Sequence, residues 1–149
     1  MNKQWILVAN SAIARFFGRN GLNDPLVVLE TLHHPAGRLQ RSELARDRPG
    51  HAHSDTRAAA TRFEPNTDPK RKSLHPFAQA IADRLDEGRS TGQFDTLWLF
   101  ASSPLLGELK PALGRATDRR VEVAQDVDLT ALDVAEIETR LRRISQPVP

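Results

Sequence analysis

Thr96-Leu97-Trp98-Leu99-Phe100-Ala101, followed at once by Ser102-Ser103-Pro104, is the stretch that decides the fold. Six uncharged residues without alternation read as a strand buried on both faces, and such a strand belongs at the centre of a sheet. The residues after it open a helix. Ser103 suits the cap, and Pro104 suits the first turn, where a missing N–H costs nothing. Leu105, Leu106, Leu109 and Leu113 supply the inward stripe of that helix, and Pro111 within it predicts a kink or an early end.

Working outward toward the C-terminus, Arg120–Ala124 reads as a fifth, shorter strand. Asp133-Val134-Ala135-Glu136 has the spacing of a capping box and starts a last helix with Ile137, Leu141 and Ile144 inward. Gln146–Pro149 is read as a frayed tail. On the N-terminal side, a helix is predicted after Lys72, with Ser73 as cap and Pro76 in the first turn. Phe77, Ala78, Ile81, Ala82 and Leu85 give it one apolar face, and Gly88 or Gly92 ends it.

The chain begins with three strands joined by short turns: Trp5–Ala9, Ala12–Gly18 and Leu26–Leu32. Asn10-Ser11 ends the first, and Arg19-Asn20-Gly21 begins the connection to the third. Short turns make these an antiparallel meander. The later β-α-β step calls for a right-handed parallel crossover. The reading is therefore an α/β protein with a ribonuclease H-like, five-stranded mixed sheet, three antiparallel strands then a parallel β-α-β, with flanking helices. We read residues 1–149 as a single domain.

One long segment, residues 34–72, interrupts this plan after the third strand. Pro35, Pro49, Pro65 and Pro69 forbid a long regular helix across it, although Gln40–Arg46 and Thr56–Arg62 could each form a short one. Residues 38–72 hold nine Lys and Arg against five Asp and Glu, whereas the net charge of the whole chain is only +2. The insert is therefore the basic element on a mildly acidic body; an insert this long is usually either functional or disordered, and its charge points to an anionic partner or to a plain solvated loop. The chain has no cysteine, so disulfides and thiolate chemistry are excluded. The N-terminal apolar run is too short for a signal peptide or a membrane span, so a cytoplasmic protein without a membrane span is expected.

The chemistry is less legible. Metal-dependent phosphodiester cleavage needs converging carboxylates. The first strand ends in Asn10 and the fourth in Ser102-Ser103, while Asp83, Asp86 and Glu87 read as a solvated helix face. His33-His34, and His51 and His53 with Asp55, are weak metal or hydrolase candidates that match no zinc spacing. No cofactor motif is present. Ser102 and Ser103, where the central strand feeds a helix N-terminus, are the better candidates, as an anion site. Arg46, Arg48, Arg62 and Lys70 of the insert could complete it. With six Phe, two Trp and no Tyr, base stacking is a poor expectation. Phosphate and shape recognition of RNA stays open.

Several motifs carry a resemblance. They are Trp5-Ile6-Leu7-Val8-Ala9-Asn10 with Ala12–Phe17, His34-Pro35-x-Gly37-Arg38, Asp47-Arg48-Pro49-Gly50, and Glu64-Pro65-x-Thr67-Asp68-Pro69-Lys70. Phe77-Ala78-x-x-Ile81-Ala82 and Leu105-Leu106-Gly107 add to them. Together they resemble the bacterial host attachment protein family, described as required for attachment to host cells. That family in turn resembles the ribonuclease H-like middle domain of archaeo-eukaryotic release factors, which implies RNA or the ribosome as partner. The release-factor Gly-Gly-Gln loop does not occur in this sequence, so peptidyl-tRNA hydrolysis is not implied. Asn10 stands where the family often carries Asp. The resulting expectation is a non-enzymatic binding protein whose attachment role is indirect, with a hydrolase or metal-dependent nuclease as the alternative.

Overall fold

The computed structural model describes residues 3–34 and 69–145. Five strands form one mixed sheet in the order β3-β2-β1-β4-β5. They are β1 (Gln4–Ala9), β2 (Ile13–Arg19), β3 (Val27–His33), β4 (Thr96–Ala101) and β5 (Val121–Gln125). β1 pairs antiparallel with β2, and β2 with β3. β1 pairs parallel with β4, and β4 with β5. This is the ribonuclease H-like topology expected, with each strand within a residue of its predicted bounds.

β1 and β4 sit at the centre because they have no polar face. Leu7 lies between Phe16 of β2 and Leu99 of β4, and all three are buried. Alternate residues feed two cores. Trp5, Leu7, Phe16 and Leu99 point to one side, where α1 (Pro69–Ser90) and α2 (Leu105–Ala112) pack through Phe77, Ile81, Leu85, Leu105 and Leu109. Ile6, Val8, Phe17, Trp98 and Phe100 point to the other side, against Ile137 and Leu141 of α4 (Val134–Ser145). The short α3 (Arg115–Asp118) lies between α2 and β5. None of the described helices is long and apolar enough to cross a membrane.

Three local readings change. α1 starts at Pro69, not after Lys72, because proline presets the helical φ at a first position whose N–H needs no partner. Ser73 is therefore not a cap, and Pro76 stands inside the helix. Its missing hydrogen bond is offset by the burial of Leu74, Phe77 and Ala78 around it. The other end follows the glycine rule. Gly92 has φ +74°, its N–H reaches Arg89 O at 3.0 Å, and the Gln93 N–H reaches Gly88 O at 2.8 Å. This is the paired closure of a Schellman motif. Gly88 is needed for another reason, since a Cβ there would come within 2.6 Å of the Trp5 ring. Pro111 shortens α2, which ends at Ala112. The last helix starts as predicted, with the Glu136 N–H on Asp133 Oδ1 at 2.8 Å and the Asp133 N–H on Glu136 Oε1 at 3.0 Å.

Candidate functional site

Parallel strands β1, β4 and β5 end on one side of the molecule, and their carboxyl ends bring Asn10, Ser102-Ser103 and Asp126 to one edge. Asn10 is almost fully buried. Its Oδ1 accepts the N–H groups of Ala12 at 2.8 Å and Ile13 at 3.0 Å, which shapes the β1–β2 turn. Its Nδ2 donates to Asp128 Oδ2 and to Thr130 Oγ1, both at 3.0 Å. Every hydrogen-bonding position of that amide is filled. An aspartate would lack the donors and would set a second carboxylate against Asp128.

Ser103 does not cap α2. The helix is preceded by Pro104, after a cis Ser103–Pro104 peptide, and has no side-chain cap. The Ser103 hydroxyl instead donates to Asp126 Oδ2 at 2.5 Å, and its N–H donates to Asp126 Oδ1 at 2.9 Å. No N–H of the helix donates to that hydroxyl. The Ser103 hydroxyl, and then its amide, hold the Asp126 carboxyl below its ordinary range. The donors expected to receive an external anion are thus taken by the chain's own carboxylate. Ser102 joins the strand to the helix through its backbone, donating to Ala9 O and accepting from the Leu106 N–H, each at 3.3 Å.

Asp126 and Asp128 escaped the sequence reading, which looked for carboxylates on β1, α1 and β4. The signal was Gln125-Asp126-Val127-Asp128, two acids two residues apart where a strand runs out. Among the described residues no group of three or more His, Asp or Glu side chains is placed to hold a metal ion. His33 and His34 diverge. His33 is exposed, whereas His34 is buried, stacks on Phe77 at 4.9 Å between centroids, and gives its Nδ1 proton to Ser11 O at 2.8 Å. His34 is a packing residue. Asp86 is also more than a solvated acid, because it accepts the Gly114 N–H at 3.3 Å and ties α1 to the α2–α3 turn.

The opposite end of the strands carries cations. Arg120 leads into β5 and bonds the Asp95 carbonyl at 3.2 Å, while Lys3 gives its amide to the Asp95 carboxylate at 3.0 Å. Arg115 and Arg119, one turn apart on α3 and just past it, are exposed and have no carboxylate partner among the described residues. Arg142 and Arg143 are exposed in the last turn of α4. Arg142 shares a small cleft with Arg19 at the end of β2. Arg19 itself is buried, bonded to Gln4 Oε1 at 2.7 Å and to Leu22 O at 3.1 Å, with its guanidinium over Trp98. Burial pulls its pKa down, opposed by Glu138 and Asp24.

Against this frame of sheet and helices, the family model described as "Protein required for attachment to host cells" matches residues 5–141. The chain belongs to the host attachment family. No curated protein matches it. The family span runs from β1 into α4, so residues 34–72 fall within it. Arg46, Arg48, Arg62, His51, His53 and Asp55 lie outside the described residues, as do the two short helices considered for the insert and the Gln146–Pro149 tail. Lys70 stands in the first turn of α1 rather than in a loop.

Proposed function

We propose that this member of the host attachment family is a cytoplasmic, non-enzymatic binding protein for a phosphate-bearing partner, RNA or the ribosome. Any part it plays in attachment is then indirect. The observation that carries the reading is how differently the two ends of the sheet engage their charged groups. Asp126 and Asp128 at the carboxyl edge are spent on Ser103, Asn10 and Thr130. Arg115, Arg119 and Arg143 at the amino edge face water. Exposed guanidinium groups without carboxylate partners are the ordinary contacts of phosphate oxygens. The nine Lys and Arg of residues 38–72 add to that supply, Arg46, Arg48, Arg62 and Lys70 among them. An anion at Ser102-Ser103 would have to displace Asp126, so that edge contributes only if the carboxylate gives way.

The test is co-sedimentation of the full chain with ribosomes, and with a structured RNA, at low and at moderate salt. Binding that weakens as salt rises, and weakens further when Arg46, Arg48 and Lys70 are changed together to Ala, supports the reading. Association that ignores salt, or that the triple variant leaves intact, overturns it.

A further inference from the structure

Among the described residues β3 is the outer strand on the meander side of the sheet and pairs with β2 alone. Val27, Val28 and Leu29 are 58%, 53% and 42% exposed. They are consecutive, so apolar side chains reach water on both faces of the strand. Val27 and Leu29 wall a cleft of about 380 Å³ together with Trp5, Gly18 and Pro25. Val28 lies on the other face, beside Phe17. An outer strand is ordinarily guarded by lysine, proline or an inward charge. The one acidic or basic residue of β3 apart from His33 is Glu30, and Arg84 of α1 draws it aside at 2.7 Å. β5, the other outer strand, is guarded: Arg119 and Arg120 precede it, Glu122 is exposed within it, and Asp126 follows it.

The pairing register with β2 slips at Leu29, the extra residue between Glu30 opposite Phe16 and Val28 opposite Phe17. Such a bulge bends the strand and ends regular pairing. A strand added from outside therefore has the segment up to Leu29 to pair with. That segment is self-complementary. A two-fold axis at Val28 sets Val28 against Val28 of a second copy and Val27 against Leu29 of the second copy, so the three exposed side chains cover one another. The same axis carries the exposed Asp24 toward the exposed His33 of the second copy, an acid toward an imidazole.

We propose that the β3 edge is the contact between two copies of this chain, with β3 paired antiparallel to its counterpart about Val28. This goes beyond the phosphate-binding reading and stands independently of it. Two five-stranded sheets then join into one continuous sheet, a closed two-fold assembly with no further edge of this kind exposed.

Sedimentation of the full chain over a wide concentration series tests it. The mass rises to twice that of the chain as concentration increases, and Val28→Lys weakens the association at least about tenfold by burying a charge on each copy at the axis. Val28→Lys keeps the far-ultraviolet spectrum of the parent, and its melting transition at concentrations low enough for both to be monomeric, because the side chain is half exposed in the monomer. A second readout is independent of that variant's folding. The chain has no cysteine, and residues facing each other across an antiparallel pair lie within easy reach of a disulfide. Val28→Cys therefore cross-links into a covalent dimer under mild oxidation faster than Val27→Cys, and far faster than Ala131→Cys at an exposed site elsewhere. A chain that stays monomeric, a dimer indifferent to Val28→Lys, or a Val28→Cys that cross-links no faster than Ala131→Cys each overturns the proposal.

Discussion

The two ends of the sheet both carry charged side chains and put them to opposite use. At the carboxyl edge the exposed acids are bonded to the chain's own donors: Asp128 to Asn10 and Thr130, Asp126 to Ser103. At the amino edge the guanidinium groups of Arg115 and Arg119 extend into solvent. Residue type alone would have marked the carboxyl edge as the place for chemistry. What separates the two regions is the hydrogen-bonding capacity still available after folding. A donor already holding a buried or charged acceptor must give up that contact before it can take a ligand, and the cost of doing so is comparable to what the ligand would return.

The harshest way to break the carboxyl edge is Asn10→Asp. The side chain is 7% exposed and its Nδ2 lies 3.0 Å from an oxygen of Asp128. The substitution replaces a donor by a carboxylate facing a carboxylate, which should cost about 3 kcal/mol at neutral pH, the scale of an uncompensated buried charge. Two carboxyls sharing a site push one pKa up. A raised folded pKa means that the penalty grows as pH rises through it and shrinks toward acid. Thermal melts of the variant and its parent across pH 4 to 8 would show the gap closing at the acid end. A gap that is constant with pH would mean that the damage is loss of the turn bonds to Ala12 and Ile13, not charge repulsion.

The same contrast explains which features could be read in the sequence. β4 was legible because six uncharged residues bounded by turn formers leave no other reading. The Asp133–Glu136 capping box was legible because both partners lie within one turn. The start of α1 was misread because Pro69 and Ser73 both satisfy a local rule for helix entry, and local rules do not rank them. Ser103 was misread for a different reason. Its partner Asp126 is 23 residues away, and Asn10 meets Asp128 across 118 residues. Those contacts exist only because β1, β4 and β5 end side by side, which is a property of sheet order. The exposed apolar face of β3 was hidden in the same way. Val27-Val28-Leu29 reads as an ordinary strand, and only the order β3-β2-β1-β4-β5 makes it an edge.

A milder perturbation addresses the amino edge. Arg115→Ala with Arg119→Ala removes two exposed guanidinium groups that no described carboxylate engages. Melting should stay within experimental scatter, since surface changes of this kind usually cost less than about 0.5 kcal/mol. Ribosome or RNA association should weaken, and the slope of log affinity against log salt should fall by about one for each phosphate contact removed. If affinity falls while the slope is unchanged, these arginines support the surface without touching phosphate. If neither changes, the contact belongs to residues 38–72 alone, and the triple variant at Arg46, Arg48 and Lys70 carries the whole effect.

The smallest effect is expected at Asp126, and its sign is the informative part. Ser103 lowers the carboxyl's pKa in the folded chain through the hydroxyl first and the amide second. A lowered folded pKa gives stability that is present above the ordinary Asp value and is lost as pH falls through the lowered one. Asp126→Asn should therefore melt slightly below its parent near neutral pH, with the difference vanishing in acid. The gap closes toward acid as it does for Asn10→Asp, but for the opposite reason: here the parent loses stability, whereas there the variant regains it. Asp126→Ala goes further, because it releases both Ser103 donors. If the carboxyl edge is an anion site whose occupant is the chain's own carboxylate, inorganic phosphate will raise the melting temperature of Asp126→Ala more than that of the parent. If phosphate acts on both alike, the Ser103 donors are positioned for Asp126 alone, and the amino edge and residues 38–72 remain as the anion-binding surfaces.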